Sequence, residues 1–505
     1  MDVRIHDILT RAAHLTPTRL AATLDDARRT FADIDASSNQ AAHRLRGEGV
    51  QHRDRVVWWG PTDLAALDVC YGTTKLGAAL APINPAFTEK EATAAIEYLA
   101  PRLVVADTTF DEQARTVCAA LDVPVVTATD NWLQGASTTP IPRVGDGEEA
   151  CAVFLTSGST GVSKGALLSH RAAWLRATLR EAEDGSPGPA GEVSMFGFFH
   201  MAGWYFLEHA WAVGRAVHLV HRADADELLA AVDQWRASTL YCIPAVWQRI
   251  LDDGARYDGS SLREVLTGTS RVDLGLVDSL KARFPGSWTS VAYGSTEIGR
   301  GAVLADRDLY VKPGSVGLPP PAVHAEIDGD GELLLRGPTM FSGYLDRPEA
   351  TAAAIDADGW FHTGDLATRD SDGYLTIAGR RSEGIRSGGE WIAPVEVEAA
   401  ILTHPAVAEV GVVGLPDAQW GELVCAAIVP QPDARVPTVE ELRVHLGSLL
   451  VAPKHPRVVV AVARLPHTDA TGQIRRAALR REILGDTERA SSEPGNPARS
   501  ERPVV

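Results

Sequence analysis

The sequence predicts a mixed α/β fold in more than one domain, and three observations lead to this prediction. The chain has 505 residues, whereas a single hydrophobic core seldom serves more than about 250–300 residues. Apolar strand-like segments alternate with helix-like segments over most of the length, which is typical of α/β layers. From about Glu383 onward the pattern changes to short helices and strands that indicate a small α+β domain.

The first clear unit of the larger part begins at Cys151. The apolar segment 151–155 predicts a strand that leads into a loop rich in glycine, serine and threonine. A second strand is expected at 165–169, and Ser169 is placed to cap a helix that begins near His170.

Three further strands of the larger part end in turn-forming residues. The strand at 239–243 precedes Pro244, a favoured first residue of a helix, and we expect that helix to reach about Asp253. The strands at 262–268 and 287–294 both end in glycine. Open α/β sheets bind ligands at strand ends of this kind, so a binding site is expected here.

The smaller part contains two predicted helices and three predicted strands. In chain order these are a helix at Pro394–Leu402, strands at 406–415 and 422–429, a helix at 439–450 and a strand at 457–462. Together, these two helices and three strands predict a small α+β domain.

The predicted domains follow from these segments. A large domain covers 1–379, a hinge covers 380–382 in a polar, glycine-flanked segment, and a small domain covers 383–485. The tail at 486–505 lacks apolar periodicity and predicts disorder.

Composition excludes several classes of function. The formal net charge of −18 argues against a general binder of nucleic acid or of anionic membranes. Five scattered cysteines without a CxxC pair predict reduced, buried thiols rather than a disulfide framework or a zinc site. With neither a signal peptide nor a membrane-spanning run, the sequence predicts a cytoplasmic protein.

The loop after the strand at 151–155 is the first candidate site. Small residues let backbone N–H groups approach phosphate oxygens, hydroxyl groups add donors, and a lysine adds positive charge. The loop is not a Walker A motif, because the spacing GxxxxGK[ST] is absent, and by itself it is equally typical of a flexible connection. The candidate phosphate-binding residues are Thr156, Ser157, Gly158, Ser159, Thr160 and Lys164.

This loop resembles the phosphate loop of the adenylate-forming superfamily, which includes acyl-CoA synthetases, adenylation domains and luciferases. The segment Tyr293-Gly294-Ser295-Thr296-Glu297 is similar to the family's Y-G-x-T-E element. The resemblance implies that Tyr293 stacks on adenine, Thr296 bonds the α-phosphate and Glu297 helps to hold Mg²⁺. It also places backbone contacts to the nucleotide at Gly268 and Thr269.

Two later motifs extend the resemblance. The segment 360–365 is similar to the family's aromatic-x-T-G-D element, which implies that Asp365 accepts from both ribose hydroxyls. Gly379-Arg380 is similar to the family's G-R, whose arginine contacts ribose. The implied fold is a large N-terminal domain of αβ layers plus a distorted β-barrel, with a small mobile C-terminal α+β domain. The implied cofactors are ATP and Mg²⁺, with CoA as co-substrate.

The small domain carries two departures from the family pattern. In 387–398, which resembles S-G-G-E-N-I-x-P-x-E-V-E, Trp391 replaces asparagine and either narrows the pantetheine tunnel or packs at the domain interface. In 465–476, which resembles L-P-x-T-x-x-G-K-I-x-R-R, Gln473 replaces the lysine that bridges the acid and the α-phosphate. Losing one such preorganised contact costs roughly 10²–10³ in rate.

Three explanations of Gln473 stay open. In the first, another cation, Arg386 or Lys164, replaces the missing lysine. In the second, the substrate is an unusual acid that does not need the lysine. In the third, the protein is a non-catalytic nucleotide-binding regulator. Retention of the nucleotide motifs argues against the last. The resemblance gives Thr296, Glu297, Lys164, Gln473 and His200 as catalytic candidates.

Aromatic residues around His200 predict the acid-binding pocket. The segment 198–204 resembles the family's histidine-containing helix start beside the acyl pocket, where His200 would be a gate or wall. Neighbouring aromatic side chains either form flat pocket walls, which suit an aryl or short planar acid, or pack in the core. They are Trp204, Tyr205, Phe206, Tyr241 and Trp247.

The expected activity is ATP-dependent formation of an acid adenylate, followed by rotation of the small domain about Ser382 and transfer to a nucleophile. The resemblance makes the thiol of CoA the commonest acceptor, with a carrier protein or an amine as alternatives. Because nitrite does not present an acyl carboxylate to the missing lysine, Gln473 also fits a diazotase of secondary metabolism that activates nitrite for an aromatic amine.

Overall fold

The computed structural model describes residues 2–156, 164–184, 190–253, 256–468 and 473–492. Helices and strands alternate over most of these residues. The helices are α1 (Asp7–Leu15), α2 (Phe31–Gly47), α3 (Leu64–Lys75), α4 (Glu89–Leu99), α5 (Asp111–Leu121), α6 (His170–Asp184), α7 (Met201–Ala212), α8 (Ala225–Trp235), α9 (Pro244–Asp253), α10 (Leu274–Arg283), α11 (Pro348–Ala354), α12 (Pro394–Ile401), α13 (Val439–Leu446) and α14 (Arg476–Ser492).

The strands form four sheets. They are β1 (Leu20–Leu24), β2 (Ala27–Thr30), β3 (Arg55–Trp59), β4 (Ala79–Pro82), β5 (Leu103–Asp107), β6 (Val125–Ala128), β7 (Ala150–Thr156), β8 (Lys164–Ser169), β9 (Glu192–Val193), β10 (Val217–Leu219), β11 (Thr239–Tyr241), β12 (Glu264–Gly268), β13 (Trp288–Ser295), β14 (Gly299–Leu304), β15 (His324–Ile327), β16 (Glu332–Arg336), β17 (Gly343–Tyr344), β18 (Phe361–Arg369), β19 (Leu375–Arg380), β20 (Ile385–Ser387), β21 (Glu390–Ile392), β22 (Val407–Asp417), β23 (Gly421–Pro430) and β24 (Val458–Ala461).

The largest sheet has eight strands in the order β14-β13-β12-β11-β9-β10-β1-β2. Its central strands are parallel, and antiparallel strands pair at both edges. Parallel strands are covered by helices on both faces, which explains why β11 and β12 are apolar and buried.

A second sheet has seven strands in the order β17-β8-β7-β4-β3-β5-β6. Its buried apolar residues, such as Val57, Val104 and Val153, pack against α4 and α5. A four-stranded sheet has the order β15-β16-β18-β19, and a five-stranded sheet has the order β21-β20-β23-β22 with β24 paired to β23. Among the described residues these strand orders are open, so the expected distorted barrel is not a closed sheet.

The chain forms two compact units. Unit 1 contains the chain up to Glu326 together with Leu334–Thr363 and Arg369–Leu375, and unit 2 contains Ile327–Leu333, Gly364–Thr368 and the chain from Thr376 onward. Unit 2 has its own apolar core between its sheet and α12 and α13. The large N-terminal and small C-terminal parts are as the sequence predicts, whereas the hinge at 380–382 stays a prediction.

Most predicted elements are confirmed within one or two residues. Ser169 caps α6, since its Oγ accepts a hydrogen bond from the Ala172 N–H at 3.1 Å, and the helix expected from Pro244 is α9. The helix expected at 439–450 ends at Leu446, with Gly447 as its C-cap residue. Helix α14 extends to Ser492, into the segment for which the sequence predicts no regular structure.

The cysteines confirm the prediction of reduced, buried thiols. All five are buried and free, and burial raises the pKa of the Cys118 thiol to about 11 and that of Cys425 to about 12. No helix within the described ranges is long and apolar enough to cross a membrane.

Candidate active site

Three neighbouring strands of the eight-stranded sheet end at one cavity. Strands β11, β12 and β13 are parallel and adjacent, so their carboxyl ends lie along the same edge. Tyr241 ends β11, Thr269 follows β12, Tyr293 to Ser295 end β13 and Thr296 follows it, and all of these residues line the cavity. A cavity of unit 1 therefore lies at the strand ends where the sequence predicts a binding site.

The cavity has a volume of about 120 Å³ and a largely apolar wall. Helix α7 supplies Met201, Ala202 and Phe206, and the loop before it supplies Phe196. The ring of Phe206 lies 4.9 Å from that of Tyr241, centroid to centroid. Arg300 is the one permanently charged residue among the described residues of the lining.

The aromatic residues predicted for the pocket divide between the cavity and the core. Tyr205, Phe206 and Tyr241 line the cavity. Trp204 instead stacks on Tyr71 in the core, with 5.9 Å between ring centroids. Trp247 is also in the core, where its Nε1–H donates to the Leu266 carbonyl at 2.9 Å.

His200 lines the cavity as a neutral side chain at the start of α7. Its Nδ1 accepts a hydrogen bond from the Ala202 N–H at 3.2 Å, which caps the helix. Burial lowers the pKa of His200 to about 4, so the ring carries no charge at neutral pH. The ring stacks on Phe196 with 5.1 Å between ring centroids, and its role as a gate or wall of an acid pocket stays a prediction.

The last residue of β12 and the residue after it have an unusual backbone. Gly268 has φ +155°, and a Cβ there would overlap the Ala292 carbonyl oxygen. Thr269 has φ +71°, a left-handed conformation that non-glycine residues seldom adopt. The hydroxyl groups of Thr269 and Tyr241 lie 3.0 Å apart, which holds the strained residue at the cavity.

The Y-G-S-T-E segment turns sharply between β13 and β14. A Cβ on Gly294 would overlap the carbonyl oxygen of Gly299, so only glycine permits this close approach. The Oγ of Ser295 accepts from the Glu297 N–H at 3.2 Å. This turn places Tyr293, Gly294, Ser295 and Thr296 in the cavity lining.

Glu297 is bound through its carboxylate to a residue that sequence reasoning did not single out. The Tyr344 hydroxyl donates to Glu297 Oε1 at 2.8 Å. Strand β17 pairs with β8, which brings the Tyr344 ring to 5.0 Å from Lys164 Nζ. Lys164, Tyr344 and Glu297 thus form one connected group.

The predicted magnesium role of Glu297 fits its surroundings. No group of three or more His, Cys, Asp or Glu side chains in the described part of the chain could hold a metal by itself. Mg²⁺ in nucleotide sites is bound by only one or two carboxylates, with phosphate oxygens and water completing the shell. Glu297 offers one carboxylate, which is the number that this mode of binding requires.

The predicted phosphate loop is only partly described. Thr156 ends β7, and its Oγ1 donates to the Lys164 carbonyl at 3.2 Å across the β7–β8 pair. The predicted contacts of Ser157, Gly158, Ser159 and Thr160 lie outside the described residues.

The predicted ribose-binding residues are brought together in unit 2. Arg380 Nε lies 2.9 Å from Asp365 Oδ1. The side chain of Asp365 is 8% exposed and that of Arg380 is 50% exposed, so the pair presents its guanidinium side to solvent.

Gln473 is an exposed residue of unit 2. Its N–H donates to Thr468 Oγ1 at 3.0 Å, and its carbonyl accepts from the Thr468 N–H at 2.8 Å. Trp391 packs on the backbone of Gly384, where a Cβ would overlap the indole. This contact favours the interpretation that Trp391 packs within unit 2.

Comparison with known proteins gives matches along the chain. Residues 9–345 match the family described as AMP-binding enzyme, and residues 396–471 match the AMP-binding enzyme C-terminal domain. The feruloyl-CoA synthase of an Amycolatopsis species is 31% identical over 488 residues, with 94% of this chain and 98% of that protein covered.

Solved structures show the same similarity. The anthranilate CoA ligase AuaEII in complex with anthranoyl-AMP has a TM-score of 0.87 at 26% identity, covering 96% of this chain and 98% of that one. The o-succinylbenzoate coenzyme A synthetase of Bacillus subtilis, in complex with ATP and a magnesium ion, has a TM-score of 0.84 at 25% identity, covering 94% and 98%.

Proposed function

The chain belongs to the AMP-binding enzyme family, and from this we propose that it activates a small acid with ATP. The acid oxygen attacks the α-phosphorus, the bond to the β-phosphate breaks, and pyrophosphate leaves. A thiolate, most commonly that of CoA, then attacks the acyl carbon of the adenylate. AMP leaves and a thioester remains.

The cavity in unit 1 carries this proposal. It joins an apolar aromatic wall to the Y-G-S-T-E segment, so an acid in the cavity would lie beside the segment expected to hold the nucleotide. An apolar cavity of roughly 150 Å³ is large enough for a benzene ring, which is close to the volume of about 120 Å³ found here. Arg300 adds a positive charge that favours an anionic substrate.

The size and shape of the cavity favour an aryl or short-chain acid over a long alkyl chain. The rings of Phe196, Phe206 and Tyr241 line the cavity, and aromatic walls of this kind favour a flat ring. The names of relatives are consistent with this class, since they include a feruloyl-CoA synthase and an indoleacetate–CoA ligase.

In this proposal each site residue has a separate task. Thr296 donates to the α-phosphate, Glu297 holds Mg²⁺, and His200 forms a neutral wall of the acid pocket. Bound Mg²⁺ would neutralise phosphate charge. Lys164, 5.0 Å from the Tyr344 ring, supplies only part of the positive charge that Gln473 lacks. The Asp365–Arg380 pair is proposed for the ribose hydroxyls.

Gln473 keeps a second function open. A neutral amide is suited to a substrate without an acyl carboxylate, so nitrite could be activated as nitrosyl–AMP and passed to an aromatic amine. The aromatic lining of the cavity suits an aminoaryl acid as the amine in this reaction.

The test is an assay with ATP, Mg²⁺ and a panel of aryl and short-chain acids, with and without CoA. Pyrophosphate release is followed, and products are identified by mass spectrometry. A separate arm contains nitrite and aminoaryl acids. We expect pyrophosphate release with one class of aryl acid and a CoA thioester of that acid.

Three other results of this assay would each replace the proposal with a different function or acceptor. A diazo product that requires nitrite would establish the second function. An adenylate that reacts with a carrier protein or an amine but not with CoA would change the acceptor. Tight ATP binding without pyrophosphate release in any arm would indicate a regulator.

A further inference from the structure

Arg176 is a buried cation that contacts the Thr296–Glu297 backbone. It lies on α6, 120 residues before Thr296, and is 5% exposed. Its guanidinium donates three hydrogen bonds to carbonyl oxygens: Nη1 to Thr296 at 3.0 Å, Nη2 to Glu297 at 3.2 Å and Nε to Thr339 at 2.8 Å. Two successive carbonyls of the candidate site are thus held by one planar group.

Burying this charge is costly for a residue that only fills space. Burial lowers the pKa of Arg176 to about 10, and the Glu297 carboxylate opposes that shift. A charge removed from water destabilises the fold unless it is fully hydrogen-bonded, and an apolar side chain of similar size often serves stability as well. The arginine here is instead matched to three carbonyl oxygens, two of which belong to the Thr296–Glu297 backbone.

The turn after Glu297 is shaped around Arg176. Gly299 has φ +77°, and a Cβ there would lie 3.0 Å from Arg176 Nε and 3.2 Å from its Cδ. The Glu297 carbonyl also accepts from the Phe341 N–H at 2.6 Å, so the same oxygen is fixed from two directions. Both peptide groups that flank the Glu297 side chain are consequently held in place.

We propose that Arg176 is a positioning residue that fixes the Thr296–Glu297 backbone, so that the Glu297 carboxylate faces nucleotide-bound Mg²⁺. The inference rests on the proposed function in that it needs Glu297 to take part in binding Mg²⁺. Arg176 itself touches neither the nucleotide nor the acid in this scheme. Its planar fork sets the direction of the carboxylate before the metal arrives.

The test measures the affinity of the full-length protein for ATP by calorimetry, with Mg²⁺ and with EDTA, and needs no acid. Arg176→Met removes all three donors, whereas Arg176→Lys keeps the charge but loses the planar fork. Arg215→Met is the matched control, because Arg215 is also buried, at 4% exposure, and its side chain lies 3.6 Å from Glu264.

We expect Arg176→Met to weaken ATP binding in Mg²⁺ by about tenfold or more, since hydrogen bonds to charged groups are of that size. Binding in EDTA should change less than about twofold, and Arg176→Lys should be intermediate. With an identified acid, kcat should fall while the KM for the acid stays constant.

Two outcomes would overturn the inference in different ways. If Arg176→Met and Arg176→Lys keep the native Mg²⁺ enhancement and only lower the melting temperature, as Arg215→Met does, Arg176 is structural. If the native protein shows no Mg²⁺-dependent ATP binding, the proposed function itself fails, and this inference fails with it.

Discussion

At the scale of single residues, Gln473 is the departure with the clearest kinetic consequence. Lysine at this position would add a positive charge where the resemblance places the acid and the α-phosphate. We therefore expect Gln473→Lys to raise the rate of pyrophosphate release with a carboxylic acid by about tenfold or more. The measurement is single-turnover pyrophosphate release with saturating ATP.

Gln473→Met provides the control, because it has a similar volume and no charge. An equal rate in Gln473→Lys and in the native chain would mean that another cation already supplies the charge. A lower rate with carboxylic acids in Gln473→Lys would contradict the assignment of this position to the reaction.

The Tyr344 hydroxyl gives a second prediction at this scale. Tyr344→Phe keeps the ring near Lys164 but removes the hydrogen bond to the Glu297 carboxylate at 2.8 Å. We expect the Mg²⁺ concentration for half-maximal activity to change by about tenfold. Tyr310→Phe is a matched control on an exposed tyrosine, whose hydroxyl donates to Asp278. An unchanged Mg²⁺ requirement in Tyr344→Phe would show that the hydroxyl does not tune Glu297.

The sequence could predict those site residues that form a continuous motif. Thr269 and Tyr293 to Thr296 lie at the ends of strands that their apolar runs predict, so the topology brings them to one cavity. Tyr344 lies 47 residues after Glu297, and Arg176 looks like a surface cation on a helix. Their contacts depend on strand pairing and helix packing, which no local pattern encodes.

At the scale of elements, the β13–β14 turn depends on one glycine. Gly294→Ala would place a methyl group against the Gly299 carbonyl, so the turn must open. We expect a loss of activity of at least about tenfold together with lower stability, because overpacking costs roughly 1–3 kcal/mol. Gly47→Ala is the control, since nothing lies within 4 Å of its added methyl group. Full activity in Gly294→Ala would show that the turn tolerates widening.

Helix α7 should set the size of the accepted acid. Phe206→Ala removes a ring that is packed at 4.9 Å from Tyr241, and the cavity should enlarge. We expect kcat/KM to rise for acids with a second ring relative to those with one, by roughly tenfold. Trp247→Phe, outside the cavity, should leave this ratio unchanged. The ratio is measured by competition between the two acids.

Element boundaries were predicted well where capping residues are local. Pro244 begins α9 as expected, and Thr438 begins α13 with a capping box that includes Glu441. The sequence places the end of α13 four residues too late. Apolar residues continue at helical spacing past Gly447, whereas the helix itself ends at Leu446. Periodicity reports which face is apolar, not where hydrogen bonding stops.

At the scale of the whole molecule, buried neutral histidines predict acid lability. Burial lowers the pKa of His218 to about 4 and that of His170 to about 3. Both are neutral in the folded state but gain protons on unfolding below about pH 6.5, so the stability they contribute is present above that pH and is lost as the pH falls. We expect roughly 2–3 kcal/mol per histidine between pH 6.5 and 4.5.

Urea unfolding at pH 7.0 and 4.5 tests this on the native chain and on His218→Gln. A carboxyl group whose pKa is raised on folding contributes with the opposite sign in this range, for example Asp63, whose pKa burial raises to about 6. The difference between the two proteins isolates the contribution of His218. Identical pH dependence in both would mean that His218 accepts a proton in the folded state.

The two-part organisation was predictable because the pattern of predicted elements changes near Glu383 to short helices and strands. The sequence did not reveal that Ile327–Leu333 and Gly364–Thr368 belong to unit 2, although they precede that change. Their assignment follows from contacts such as that of the Gly364 N–H with Glu332 Oε1 at 2.8 Å. Such pairings are non-local and leave no periodic signal.

The five buried thiols can be used to measure how readily each part of the folded protein opens to solvent. A thiol reagent can react only after the surrounding structure opens, so the rate of labelling measures the free energy of that opening. Cys425 lies in unit 2, while Cys70, Cys118, Cys151 and Cys242 lie in unit 1. Mass spectrometry of labelled peptides would therefore give separate opening rates for the two units, without any substitution in the chain. ATP should slow labelling in whichever unit it stabilises.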